Sequence, residues 1–278
     1  MLSLKSPIGV FDSGYGGLTV LKEIRRMLPE YDFLYLGDNA RTPYGTRSFE
    51  VVYEYTLQSV KYLFAQGCPL VILACNTASS KALRNIQQLD LPKLAPDRRV
   101  LGVIRPCVEK VSDITRNGRI GVLGTPGTVA SLSYPIELEK WSRGKVISTV
   151  QEACPMWVPL VENFELDSPG TDYFVEKNIR GLLHKDPKID TVILGCTHYP
   201  LLLDSIKKYL PTNIHLVNQG EVVAAKLRDY LARHPEIENR ISVNGLVRYL
   251  TTETAEIFDS KAGLFLNETV HGETVVLK

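Results

Sequence analysis

Short apolar runs alternate with amphipathic stretches along most of this chain, and the alternation sets the fold class. Residues 7–12 (Pro-Ile-Gly-Val-Phe-Asp), 33–37 (Phe-Leu-Tyr-Leu-Gly) and 70–74 (Leu-Val-Ile-Leu-Ala) are short and continuously apolar, as strands buried on both faces must be. Between them, Phe49, Val52, Tyr53, Thr56, Val60, Leu63 and Phe64 recur at helical spacing. A helix after the first strand is expected to run to about Leu28, where Pro29 ends it. Further strands are expected at 100–104, from Ile120, at 145–150, 190–194 and 213–217, and a helix at 221–233. Strands that alternate with helices throughout give an α/β protein with parallel sheets.

The pattern also repeats. Residues 71–80 read Val-Ile-Leu-Ala-Cys-Asn-Thr-Ala-Ser-Ser, and residues 192–200 read Val-Ile-Leu-Gly-Cys-Thr-His-Tyr-Pro. Ile120-Gly-Val-Leu-Gly-Thr echoes Ile8-Gly-Val-Phe-Asp-Ser. The cysteines lie 121 positions apart and the two isoleucines 112, which points to an internal duplication with a small insertion in the second copy. Pro92, Pro96 and Asp97-Arg98-Arg99 look like the linker. The expected division is therefore 1–99 for the first half, 100–212 for the second, and 213–278 returning to the first.

The composition adds boundaries. Thirty-two basic and 31 acidic residues leave a net charge of +1, so there is no basic face for nucleic acid. No apolar run has the length of a membrane span, and the first residues lack a signal-peptide core. The default is a soluble cytoplasmic protein. Cys68, Cys75, Cys107, Cys154 and Cys196 are odd in number and contain no CxxC, so free thiols are expected.

Cys75 and Cys196 carry the candidate chemistry. Each follows a buried strand where a helix N-terminus begins, and open parallel sheets bind ligands outside the carboxyl ends of their strands. Inverting a stereocentre needs one group to take a proton from one face and another to return it on the other. A thiol serves either role, because its ordinary pKa of about 8.5 lies near neutrality and a helix N-terminus favours thiolate. Asp12 and His198 are candidates to orient or assist the thiols. Each residue also has a plainer reading. A lone cysteine can be a small buried hydrophobe, His198 a structural hydrogen-bonder, Asp12 a helix cap, Asp38 a turn residue and Glu152 a solvated carboxylate. Cys196 with His198 makes a poor zinc site, having no third ligand nearby. Asp12-Ser13-Gly14-Tyr15-Gly16-Gly17 lacks the nucleotide fingerprints, and serves either as an anion site for a carboxylate or simply as a tight turn.

Six stretches in one order carry a family resemblance: GVFDSGYGGLTVL (9–21), YLGDNARTPYG (35–45), ACNTAS (74–79), GVLGTPGTVAS (121–131), EACPMWVPLVE (152–162) and LGCTHYPLL (194–202). On these the chain resembles the glutamate racemases of the cofactor-independent Asp/Glu racemase superfamily, over roughly 7–265. The resemblance implies two flavodoxin-like halves with pseudo-twofold symmetry and an active site between them. It implies interconversion of L- and D-glutamate without cofactor or metal, D-glutamate for peptidoglycan, and a homodimer. It makes Cys75 and Cys196 the acid/base pair, with Asp12 and His198 as assistants and Glu152 as support for the second thiol. Ser13, Tyr44, Gly45, Asn76 and Thr77 match substrate-holding positions in the first half, and Thr125, Thr128 and Thr197 in the second. Two departures stand out: Arg105 occupies a position where many members carry an acid, and 218–220 read Asn-Gln-Gly where Asp-Ser-Gly is common.

Rival readings are a racemase of aspartate or another amino acid, a cysteine hydrolase or transferase using one thiol with His198 as base, and a non-catalytic amino-acid-binding regulator.

Overall fold

A computed structural model describes residues 5–278; part of the N-terminal stretch read for a signal peptide lies outside the described residues. Among the described residues, ten strands form two wholly parallel sheets. The first sheet has the order β10-β9-β2-β1-β3-β4, from β1 (Ile8–Asp12), β2 (Phe33–Gly37), β3 (Leu70–Leu73), β4 (Arg99–Gly102), β9 (Val247–Thr251) and β10 (Gly272–Thr274). The second has the order β6-β5-β7-β8, from β5 (Arg119–Gly124), β6 (Ser148–Ala153), β7 (Thr191–Gly195) and β8 (His215–Val217). β1, β2, β3, β5 and β7 are buried or nearly so along their length, which is why they read as unbroken apolar runs.

The orders 2-1-3-4 and 6-5-7-8 are the same pattern twice. Strand direction of travel reverses between β1 and β3, and again between β5 and β7. Those are the two switch points, where parallel sheets open a crevice for a ligand. Asp12 ends β1 and Cys75 follows β3 at the first; Thr125 and Cys196 follow β5 and β7 at the second.

Sheet membership corrects the expected division at both ends. The strand near 100, expected to open the second half, is β4, and its Arg99 to Gly102 pair in register with Leu70 to Leu73 of β3. Residues 91–94 are not an extended linker but a helical turn, Leu91–Leu94, inside the crossover from β3 to β4. Proline at a first turn has no N–H to lose there, so Pro92 starts a helix rather than breaking one. β8, expected with the first half, pairs with β7 of the second: Thr191↔His215 to Ile193↔Val217. The chain then returns through the helix Gln219–Arg233, and β9 and β10 extend the first sheet beyond β2.

The helix Phe49–Ala65 starts at Ser48, whose hydroxyl accepts from the Val51 N–H. Val52, Thr56, Val60, Leu63 and Phe64 are buried as the spacing predicts, whereas Phe49 lies at the exposed first turn. The helix Gln219–Arg233 buries Val223, Ala224, Leu227 and Leu231. It packs against the helix Gly17–Met27 of the first sheet and Ile104–Ile114 beside the second, and so ties the two layers together. All five cysteines are free and buried.

Candidate active site

β3 ends at Leu73, and Cys75 is the N-cap of the helix Asn76–Lys81: its sulfur accepts from the Ala78 N–H at 3.4 Å. The thiol itself caps this helix. Ser13, leaving β1, brings its hydroxyl to 3.4 Å from the Cys75 sulfur. A helix N-terminus favours thiolate, but burial dominates here. Burial first, then the Asp12 carboxylate, pushes the Cys75 thiol up to about 12. Charge on Cys196 contributes to the same rise, so the two sulfurs sense one another across the cleft.

Cys196 follows β7 and carries a different shell. His198 Nδ1 lies 3.8 Å from its sulfur, and His198 Nε2 is 3.0 Å from Glu162 Oε1. Burial alone lowers the imidazole, but hydrogen bonds and charge from Cys196 and Glu162 outweigh it and raise His198 to about 10. The turn after Cys196 is fixed from below: Trp157 meets the Tyr199 ring edge-on at 4.7 Å, and the Tyr199 hydroxyl donates to the Cys154 carbonyl at 3.3 Å. Cys154 is thus part of the framework.

Asp12, at the end of β1, is fully buried and accepts from the Gly14 N–H at 3.0 Å. Thr197 from the other half donates to its second oxygen at 3.5 Å. Burial raises the Asp12 carboxyl, opposed by the charge of His198 and the N–H groups of Gly17 and Gly14. Asp12 therefore stands between the two thiol environments. Thr19 closes the same seam, donating to the Thr197 carbonyl at 2.9 Å.

The glycine-rich loop serves the seam as well. A Cβ on Gly16 would sit 2.3 Å from Thr197 Oγ1 and 2.4 Å from His198 Nδ1. Gly16 is glycine because the loop after β1 touches the turn after β7. The sequence offered an anion site or a tight turn; close approach between the halves is a third reason.

Several other expected substrate positions join the two halves. The Thr77 hydroxyl meets Thr125 at 3.0 Å and Thr128 at 3.4 Å, joining the two halves. The Gly45 carbonyl accepts from the Gly127 N–H at 2.7 Å, another cross-half bond. Tyr44 is buried, but its hydroxyl donates to Asp38, which also holds Arg41 Nε at 2.7 Å. The Tyr44 hydroxyl is therefore committed to Asp38, and its ring packs beside Phe11 and Tyr55. Asn76 is buried, and both ends of its side-chain amide are bonded to Gln219.

Glu152 is elsewhere. Its carboxylate takes Lys185 Nζ at 2.7 Å and Asn178 Nδ2 at 3.1 Å, both on the helix Pro169–Lys185 behind β6. None of its hydrogen bonds or ion pairs reaches Cys196 or His198. The carboxylate that supports the second thiol's histidine is Glu162, which the sequence reading passed over although it ends a quoted stretch. Its signal was an acid closing the apolar run Trp157–Val161. Helix Trp157–Glu162 turns that acid toward the cleft, whereas Glu152 lies within β6 and packs on the helix behind it.

Fold and site together define a class: duplicated α/β proteins with one buried thiol per repeat, close to where the two halves meet. The model of the Asp/Glu/Hydantoin racemase family matches residues 8–227, and the chain belongs to that family. It is 39% identical to the glutamate racemase of Persephonella marina over 273 residues, covering 97% of both chains. It superposes on a glutamate racemase isoform from Bacillus anthracis with a TM-score of 0.88, at 35% identity and 98% coverage of each. The Francisella tularensis glutamate racemase, solved with D-glutamate, gives a TM-score of 0.86 at 30% identity, covering 99% of this chain and 98% of that one.

Proposed function

We propose that this chain interconverts L- and D-glutamate, with Cys75 and Cys196 as the two bases. The observation that supports the reading is the pair of buried thiols at equivalent places in two repeats. One sulfur, as thiolate, takes the α-proton; the other, as thiol, delivers its proton to the opposite face of the resulting carbanion. After one turnover the protonation states of the two sulfurs have exchanged, and the reverse reaction starts from there.

The two surroundings suit the two starting states. Burial and Asp12 favour a neutral thiol at Cys75. Beside Cys196 the imidazole of His198 holds its proton, and Glu162 fixes the ring that carries it. Asp12 is placed to take part at either sulfur or to hold the substrate's ammonium. The Ser13, Asn76, Thr77, Thr125, Thr128 and Thr197 side chains and the Gly45 backbone surround the space where carboxylates would be held. Both thiols are only 6% exposed, so the cleft must widen to admit a substrate.

On the same reading the D-glutamate goes to peptidoglycan, and the enzyme acts in the cytoplasm as a homodimer. Among the described residues no helix is long and apolar enough to cross a membrane. The test is the optical rotation of L-glutamate, D-glutamate and L-aspartate with purified protein. The glutamate signal is expected to decay to zero from both enantiomers. Decay with aspartate alone would transfer the mechanism to another substrate. A stable glutamate signal would overturn the reading.

A further inference from the structure

One buried polar group is unused by the chemistry above. Gln219 opens the helix Gln219–Arg233 and is 3% exposed. Its Oε1 accepts from Asn76 Nδ2 at 2.6 Å, and its Nε2 donates to Asn76 Oδ1 at 2.9 Å and to the Tyr134 hydroxyl. Tyr134 closes the ring by donating to Asn76 Oδ1 at 2.8 Å. The three side chains come from three places. Asn76 stands next to Cys75, Tyr134 belongs to the helix Ser133–Trp141 of the second half, and Gln219 follows β8. Gly220, the next residue, is packed against Glu23 and the Thr19 carbonyl, which fixes Gln219 from the other side.

A buried amide that meets another amide in both directions has one orientation. Gln219 thereby sets the plane of the Asn76 side chain and, through it, the first turn of the helix that Cys75 caps. No comparable amide clamp holds the turn at Cys196, where His198 and Glu162 do that work. The residue lies at a position where the sequence departs from the pattern its resemblance led us to expect.

We propose that Gln219 is a positioning residue for the Cys75 face of the reaction: it acts through Asn76 and does not touch substrate. This rests on the two-thiol racemase reading. Breaking the clamp should disturb proton transfer at Cys75 more than at Cys196.

The test is Gln219→Met, which keeps the volume and removes every hydrogen bond. Racemisation is followed in both directions, together with α-proton exchange in deuterated water from each enantiomer. Cys75→Ser and Cys196→Ser serve as the two references. Expected is a loss of about tenfold in kcat, the scale of one buried hydrogen bond, with a smaller change in KM. Exchange should be biased toward the same enantiomer as in Cys75→Ser and opposite to Cys196→Ser. A purely structural role would lower both directions equally. Unbiased exchange, or kcat within twofold of the parent, overturns the proposal. If Gln219→Met does not fold, Tyr134→Phe opens the same ring from the other half and must show the same bias, at smaller size. If the parent protein itself fails to racemise glutamate, the two-thiol reading falls first and this proposal with it.

Discussion

Cys75 and Cys196 occupy the same place in two copies of one strand–loop–helix unit, and their neighbours differ in kind. Around Cys75 the hydrogen bonds come from the Ser13 hydroxyl and a backbone N–H, and burial holds the thiol protonated. Around Cys196 stand an imidazole and a carboxylate in series. The same strand–loop–helix unit occurs twice, and the side chains around its two sulfurs differ in kind. A symmetric pair would begin with two thiols or two thiolates. Neither can move a proton through a carbanion, because one member must give what the other takes.

The strongest way to break this comparison is to delete each sulfur in turn. Cys75→Ala and Cys196→Ala are each expected to lower racemisation by at least about 10³-fold, within the range for a lost acid or base, while far-ultraviolet dichroism stays native. Near-parent turnover in either variant would refute the two-base assignment. Next in size is His198→Asn. It should cost about 10²-fold, mostly in exchange from the enantiomer whose proton goes to Cys196.

The same residue sharpens the comparison through pH. The folded His198 is raised to about 10 from an ordinary 6.5, so the folded state holds its proton more tightly than the unfolded chain. That contribution to stability is complete below pH 6.5 and is lost as pH rises toward 10. Cys75, raised to about 12 from 9.0, acts in the same direction above pH 9. Thermal midpoints measured from pH 6.5 to 10 should fall, and His198→Asn should flatten the decline. An unchanged slope in that variant would remove the charged histidine from the account.

Glu162→Gln comes below these, with about 10-fold lost through weaker support of the imidazole. Gly16→Ala tests the seam: its methyl group has no room beside Thr197 and His198, and overpacking of this kind costs about 1–3 kcal/mol, readable in chemical denaturation. The smallest effect belongs to Glu152→Gln. Its ion pair with half-exposed Lys185 is worth at most about 1 kcal/mol, and racemisation should stay within twofold. A loss as large as that of Glu162→Gln would return Glu152 to the site.

The two carboxylates show how far the sequence could be read. Both lie in one quoted stretch, ten positions apart, and nothing local separates them. Glu152 sits in a strand whose side chains alternate between faces, and its own turns to the helix behind. Glu162 ends a short helix that bends back toward the cleft. The thiols, by contrast, were legible because a cysteine after an apolar strand has few places to go in a parallel sheet. The places of Asp12, Thr77, Thr125, Thr197 and His198 in the fold followed for the same reason, as they end strands, follow them closely or lie in the first turn of a helix. Gln219 also begins a helix after a strand, yet the sequence marks it only as a departure from the family pattern; its meeting with Asn76 and Tyr134 depends on how three distant segments pack.

The sequence by itself determined the α/β class, the parallel strands, the duplication and the two cysteines. Each is written in local periodicity or in a repeat, and local signals survive without long-range information. Only the tertiary structure decided that β4 belongs with β3 and β8 with β7, because pairing partners are chosen by crossover geometry and not by the strand's own composition. It alone decided that Gly16 is kept small by the opposite half, and that burial overrides the helix N-terminus at Cys75. It also decided which acid reaches His198. Those facts depend on contacts between segments that lie tens to well over a hundred residues apart, or on which face of an element meets the core, and the periodicity of either segment carries neither.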